Sequence, residues 1–155
     1  MIVRGGLMYK KILLPTDGSE NAKRAAEHAL KMGSRSGAEI LVLNVVETPR
    51  FRGIRSVDKT ELRKELEQEG QNAFDEYSGM LAEIVDEGKC QKDVKLDLKF
   101  EEGSPADKIL KTIDEKNIDL VVMGTSGKHG INRFLLGSVA ENTMRSAPCP
   151  VLVIR

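Results

Sequence analysis

Short apolar runs alternate with longer amphipathic ones along this chain, and that alternation restricts the fold more than any other feature. Ile12-Leu13-Leu14, Ile40 to Val46, Leu120 to Met123 and Val151 to Ile154 are apolar at nearly every position. Each fits a strand covered on both faces. The segments between them have helical period. Ser19 to Ser36 puts Ala22, Ala25, Ala26, Ala29 and Gly33 on one face, a stripe small enough for close approach to a sheet, with Ser19 as the expected N-cap. Val57 to Glu87 forms a long second helix with Leu62, Leu66, Ala73, Tyr77, Met80, Leu81 and Ile84 along one side. Gly70 and Gly79 interrupt it at a cost of ~1 kcal/mol each, which admits a bend or two pieces. Ser104 and Pro105 open a third helix as N-cap and first turn, with Ile109, Leu110 and Ile113 facing inward. A fourth spans Ser138 to Arg145, and Pro148 stops it.

One strand differs from the rest. Between Val94 and Phe100, apolar residues (Val94, Leu96, Leu98, Phe100) alternate with Lys95, Asp97 and Lys99, so one face is wet and the strand belongs at a sheet edge. Strands that alternate with helices form a mostly parallel sheet with helices on both faces, a three-layer α/β domain. Right-handed crossovers, central first and fourth strands and an edge third strand give the five-stranded order 3-2-1-4-5. Ligands of such sheets bind at the carboxyl ends of the strands where the order reverses, here between strands one and four. Pro15-Thr16-Asp17-Gly18 and the segment after Met123 are therefore expected to face each other across the site.

Composition narrows the partners. Lys plus Arg and Asp plus Glu both number 24, a zero net charge that argues against nucleic acid. Cys90 and Cys149 have no metal-ligand spacing and are too few for a disulfide framework, as in a reducing compartment. No apolar run reaches the ~20 residues that span a bilayer, and residues 1–7 lack the apolar core of a signal peptide. The expectation is one cytoplasmic domain over residues 8–155, with no membrane partner and a disordered extension over 1–7. Met8 is an alternative start.

The chemistry lies after strand four: Gly124-Thr125-Ser126-Gly127-Lys128-His129-Gly130, then Gly137-Ser138. Three glycines in seven residues permit close backbone approach, and Gly137-Ser138 opens a helix whose free N–H groups favour an anion. This fits a phosphate cradle; the plainer reading is a strand–loop–helix connection with Ser138 as N-cap. A Gly-x4-Gly-Lys-Ser/Thr loop is absent, as is Gly-x-Gly-x-x-Gly after strand one. Lys128, His129 and Arg133 could reach phosphates or simply be solvated, and His28 reads as a surface or structural histidine. No nucleophile–base–orienter set is visible, so no catalytic residue is assigned.

With these motifs the chain resembles the ATP-binding branch of the universal stress protein family, which carries Gly-x2-Gly-x9-Gly-Ser/Thr. Gly124, Gly127, Gly137 and Ser138 match at full spacing, as do Lys10 to Asp17 and the closing Cys149-Pro150-Val151-Leu152-Val153-Ile154. Residues 49–92 are generic. The resemblance implies a Rossmann-like fold that binds ATP, ADP or AMP with Mg²⁺ or Mn²⁺ held mainly by the phosphates. It implies a pocket from Pro15, Thr16, Asp17, Val45, Met123, Gly124, Gly127, Lys128, Gly130, Gly137, Ser138 and Val139. Asp17 would lie beside ribose and adenine, and Val45 would meet the adenine edge through its main chain. Met123 and Gly124 would floor the pocket, Gly127 would touch the ribose, and Gly137, Ser138 and Val139 would hold the phosphates. The implied role is a stress-response regulator with a protein partner; a slow ATPase or phosphotransferase, and an interaction protein with a structural nucleotide, are alternatives. The last strand is apolar on both faces and ends the sheet, so residues 150–155 are expected to pair in a homodimer.

Overall fold

The computed structural model describes residues 9–47, 56–89, 93–126 and 136–155. The expectations for residues 1–7, for Cys90 and for Gly127 to Arg133 lie outside them. Five strands and four helices alternate: β1 (Lys11–Thr16), α1 (Glu20–Ser36), β2 (Glu39–Val46), α2 (Ser56–Asp86), β3 (Leu96–Glu102), α3 (Pro105–Lys116), β4 (Leu120–Gly124), α4 (Ser138–Ser146) and β5 (Val151–Ile154). The strands form one parallel sheet in the order β3-β2-β1-β4-β5, as the hydrophobic pattern predicts. Ile12 pairs with both Ile40 and Leu120, so β1 is central.

Two cores follow from strand alternation. Ile12, Leu14, Ile40, Val42, Leu120 and Val122 face α1 and α2. Leu13, Leu43, Val121 and Met123 face Ile109 and Ile113 of α3 and Ala140 of α4. The small face of α1 is buried as expected, and a Cβ on Gly33 would come within 2.9 Å of Ile40 Cδ1. The Ser19 hydroxyl caps the helix by accepting from Ala22 N–H, and Gly37 ends it at φ 75°.

Three local expectations change. α2 is one continuous helix of 31 residues, neither divided nor interrupted at Gly70 or Gly79. Packing decides this at Gly70, which is buried against Asn44 and Phe100. β3 begins two residues later than the alternation suggests and runs on to Glu102, held by pairing of Ile40 through Val46 with Leu96 through Glu102. Ser104 takes the N-cap position of α3, yet its hydroxyl makes no cap hydrogen bond there.

Candidate functional site at the carboxyl ends of β1 and β4

The chain leaves β1 at Thr16 and turns sharply into α1. Gly18 adopts φ 75°, where a side chain would be strained. The turn is held from both sides: Thr16 Oγ1 accepts from Gly18 N–H at 3.2 Å, and Asp17 Oδ1 accepts from Ser19 N–H at 3.0 Å. Asp17 thus makes the turn and is half-buried at the carboxyl end of β1. Pro15 and Val45 are half-buried beside it, whereas Met123 is 4% exposed and serves the core below. The Thr16 side chain points into the protein, and its hydroxyl lies 2.8 Å from the hydroxyl of Tyr77 on α2.

Across the crevice, β4 ends at Gly124. A Cβ there would come within 2.9 Å of Asn21 C and Cβ in the first turn of α1. This glycine is required by the packing of strand on helix. Asn21 then reaches over and donates through Nδ2 to the carbonyl and hydroxyl of Ser126, at 3.1 and 2.9 Å. Gly137 N–H donates to Thr125 O at 2.7 Å, and a Cβ on Gly137 would stand 3.0 Å from that same oxygen. These contacts join the start of α1, the end of β4 and the start of α4.

Gly137, in extended conformation, occupies the N-cap position of α4, and among the described residues no side chain caps the helix. Ser138 is its first helical residue and is exposed, so the N-cap role considered for Ser138 falls to a residue with nothing to cap with. The opening amides of an α-helix have no intrahelical acceptor. Those of Ser138 and Val139 have no backbone acceptor among the described residues and lie at the positive end of the helix dipole.

The structure therefore brings Pro15, Thr16, Asp17, Met123, Gly124, Gly137, Ser138 and Val139 to one end of the sheet, with Val45 one strand further along. Gly127, Lys128 and Gly130 lie outside the described residues. Sequence reasoning missed Asn21, Asn44 and Tyr77. Asn44 had a visible signal, a lone amide in an otherwise apolar strand. It is 6% exposed, its Nδ2 donates to Thr16 O at 3.1 Å, and its Oδ1 has no partner among the described residues. Tyr77 was legible only as a core residue. A cavity of about 250 Å³ lies at the carboxyl ends of β2 and β3, lined by Val46, Arg63, Glu67, Phe100, Glu101 and Glu102. No residue of β1, β4 or α4 lines it. Arg63 spans it, paired with Glu67 at 2.9 Å and Glu102 at 3.2 Å.

Residues 8–155 match the sequence profile of the universal stress protein family. The chain belongs to that family. A universal stress protein of Methanocaldococcus jannaschii is 40% identical over 156 residues, which cover 99% of this chain and 87% of the relative. The solved structure of universal stress protein UspA from Lactobacillus plantarum superposes with a TM-score of 0.74 at 27% identity, covering 95% of this chain and 98% of the other. The Archaeoglobus fulgidus universal stress protein in complex with dAMP shares the fold, with a TM-score of 0.62 at 19% identity over 97% of this chain and all of the other. Among the described residues of this universal stress protein, no helix is long and apolar enough to cross a membrane.

Proposed function

We propose that this universal stress protein binds an adenine nucleotide, ATP with Mg²⁺ or Mn²⁺, in the crevice between β1 and β4, and acts as a cytoplasmic stress-response regulator. One observation carries the reading: the N-cap of α4 is a glycine, and the helix start is uncapped by any described side chain, at the topological switch point of the sheet. Open helix-start amides at that place suit a phosphate chain. Gly137, Ser138 and Val139 would hold it, with Gly127, Lys128 and Gly130 of the glycine-rich loop as further nucleotide-binding residues. Asp17 suits the ribose hydroxyls, because a carboxylate repels bare phosphate. The ion would be held mainly by the phosphate oxygens. A related fold is known with dAMP, which supports an adenine nucleotide as the ligand class.

Thermal unfolding with MgATP tests this reading. At ~100 times Kd, linkage adds about 2.7 kcal/mol, a rise of roughly 5–10 °C for a chain of this size. Gly127→Val, which puts a branched side chain where the ribose must approach, abolishes the rise. Equal shifts in parent and variant would refute the assignment. Hydrolysis faster than roughly 1 per second would replace the regulator reading with an enzyme.

The same proposal includes a homodimer, and the two sheet edges differ in a way that supports it. β3 is guarded by ion pairs, Lys95 with Asp97 at 2.9 Å and Lys99 with Glu101 at 2.8 Å. β5 carries only Val151, Leu152, Val153 and Ile154, all half-buried. Pro150 O and Ile154 O accept from Val121 and Thr125 of the β4 segment. Strand alternation then turns the N–H and C=O groups of Val151 and Val153 to the open side. An unguarded edge of this kind suits pairing with its own copy about a two-fold axis.

A further inference from the structure

We infer that Tyr77, on α2, is a positioning residue for the nucleotide site, acting through the Thr16 hydroxyl on the turn that presents Asp17. The inference rests on the nucleotide-binding reading above. Tyr77 is 1% exposed, Thr16 is 7% exposed, and their hydroxyl oxygens lie 2.8 Å apart across 61 residues of sequence. Thr16 Oγ1 also accepts from Gly18 N–H, so the tyrosine holds the oxygen on which the Gly18 turn is built.

A second buried bond extends the set to Asn44. Asn44 lies on the same sheet face, and its Nδ2 donates to Thr16 O at 3.1 Å, so the residue that carries the shared hydroxyl is also held through its main chain. Asn44, Thr16 and Tyr77 thus form one buried polar set beneath the turn, joining β2, β1 and α2. Burial raises the Tyr77 phenol above its ordinary range, which keeps it protonated and able to donate. Gly70 leaves the room for Asn44: a Cβ there would come within 2.6 Å of Asn44 Cγ.

An apolar filling would pack this space without the polar atoms. What the polar set adds is direction, since the Thr16 oxygen is held where Gly18 N–H must reach it. Loss of the Tyr77 hydroxyl therefore loosens the turn, and the ligand must then order it again.

The test is a double-mutant cycle on Thr16 and Tyr77, with MgATP affinity read by calorimetry and amide exchange read on the ligand-free protein. Tyr77→Phe and Thr16→Val each weaken MgATP about tenfold, the scale of one hydrogen bond. The double variant is no weaker than Thr16→Val alone, and Thr16→Ser, which keeps the hydroxyl, regains affinity that Thr16→Val loses. Exchange at the Gly18 and Ser19 amides quickens in Tyr77→Phe while the β4 amides keep their protection. Parental affinity in a Tyr77→Phe protein whose melting temperature has fallen would show a purely structural tyrosine and overturn the inference, as would additive losses. If the parent itself fails to bind MgATP, the nucleotide reading falls, and unchanged Gly18 exchange in Tyr77→Phe would then overturn the positioning role separately. Should Tyr77→Phe not fold, tighter binding by Thr16→Ser than by Thr16→Val supports the hydroxyl anchor, and equal binding by the two overturns it.

Discussion

Replacing Gly70 by alanine should destabilise the protein, although Gly70 sits within a helix where alanine is normally the better residue. On an exposed helix the exchange gains ~1 kcal/mol. Here the added methyl would lie 2.6 Å from Asn44 Cγ, 2.8 Å from Asn44 Oδ1 and 2.9 Å from Phe100 Cε1. Phe100, 37% exposed, can swing aside. Asn44 cannot move freely, because it is buried and bonded to Thr16 O. Displacing it leaves a buried amide unsatisfied, at ~1–3 kcal/mol, the same range as overpacking a core by one methyl. Set against the propensity gain, the net loss is about 1 kcal/mol. Gly79 lies on the same helix with nothing within 4 Å of its Cβ position, so Gly79→Ala gains ~0.5–1 kcal/mol. The two variants should move the urea midpoint in opposite directions by a few tenths of a molar each. A Gly70→Ala protein as stabilised as Gly79→Ala would refute the reasoning, since it would mean Asn44 yields at no cost.

Two further outcomes are expected. Glu101 is held at about 2, chiefly by hydrogen bonds from Lys99 and Lys108, against an ordinary value of 4.5. A carboxylate depressed in this way stabilises the fold above the ordinary value and loses that contribution as pH falls from about 4.5 towards 2. Glu101→Gln should accordingly flatten stability against pH in that window, measured by urea unfolding at stepped pH; an unchanged acid limb would count against the Lys99–Glu101–Lys108 cluster. Val153→Pro removes a donor from the open side of β5 while sparing the β4 ladder. It should shift the protein from dimer towards monomer in light scattering with circular dichroism preserved, and a parent that is monomeric at micromolar concentration would refute the dimer.

Much of the architecture was legible because burial on one face or two writes itself into periodicity. The runs at Ile12, Ile40, Leu120 and Val151 declared covered strands, and the alternation from Val94 declared an edge; with right-handed crossovers, the order β3-β2-β1-β4-β5 followed from those two facts. The stripe Ala22, Ala25, Ala26, Ala29 likewise revealed the buried face of α1. Tertiary structure alone decided the rest. Periodicity says that Tyr77 is buried but not that its hydroxyl meets Thr16, since that bond spans 61 residues and depends on how α2 lies across the sheet. Composition shows a glycine at 70 but not whether it breaks the helix or fits it against Asn44. The N-cap of α4 fell on Gly137 rather than Ser138 because the chain enters the helix while tied to Thr125 O, and a cap is set by the path of the backbone rather than by the residue best able to serve. Local sequence determines which surfaces must be covered; which atoms then meet is decided by contacts between segments far apart in the chain.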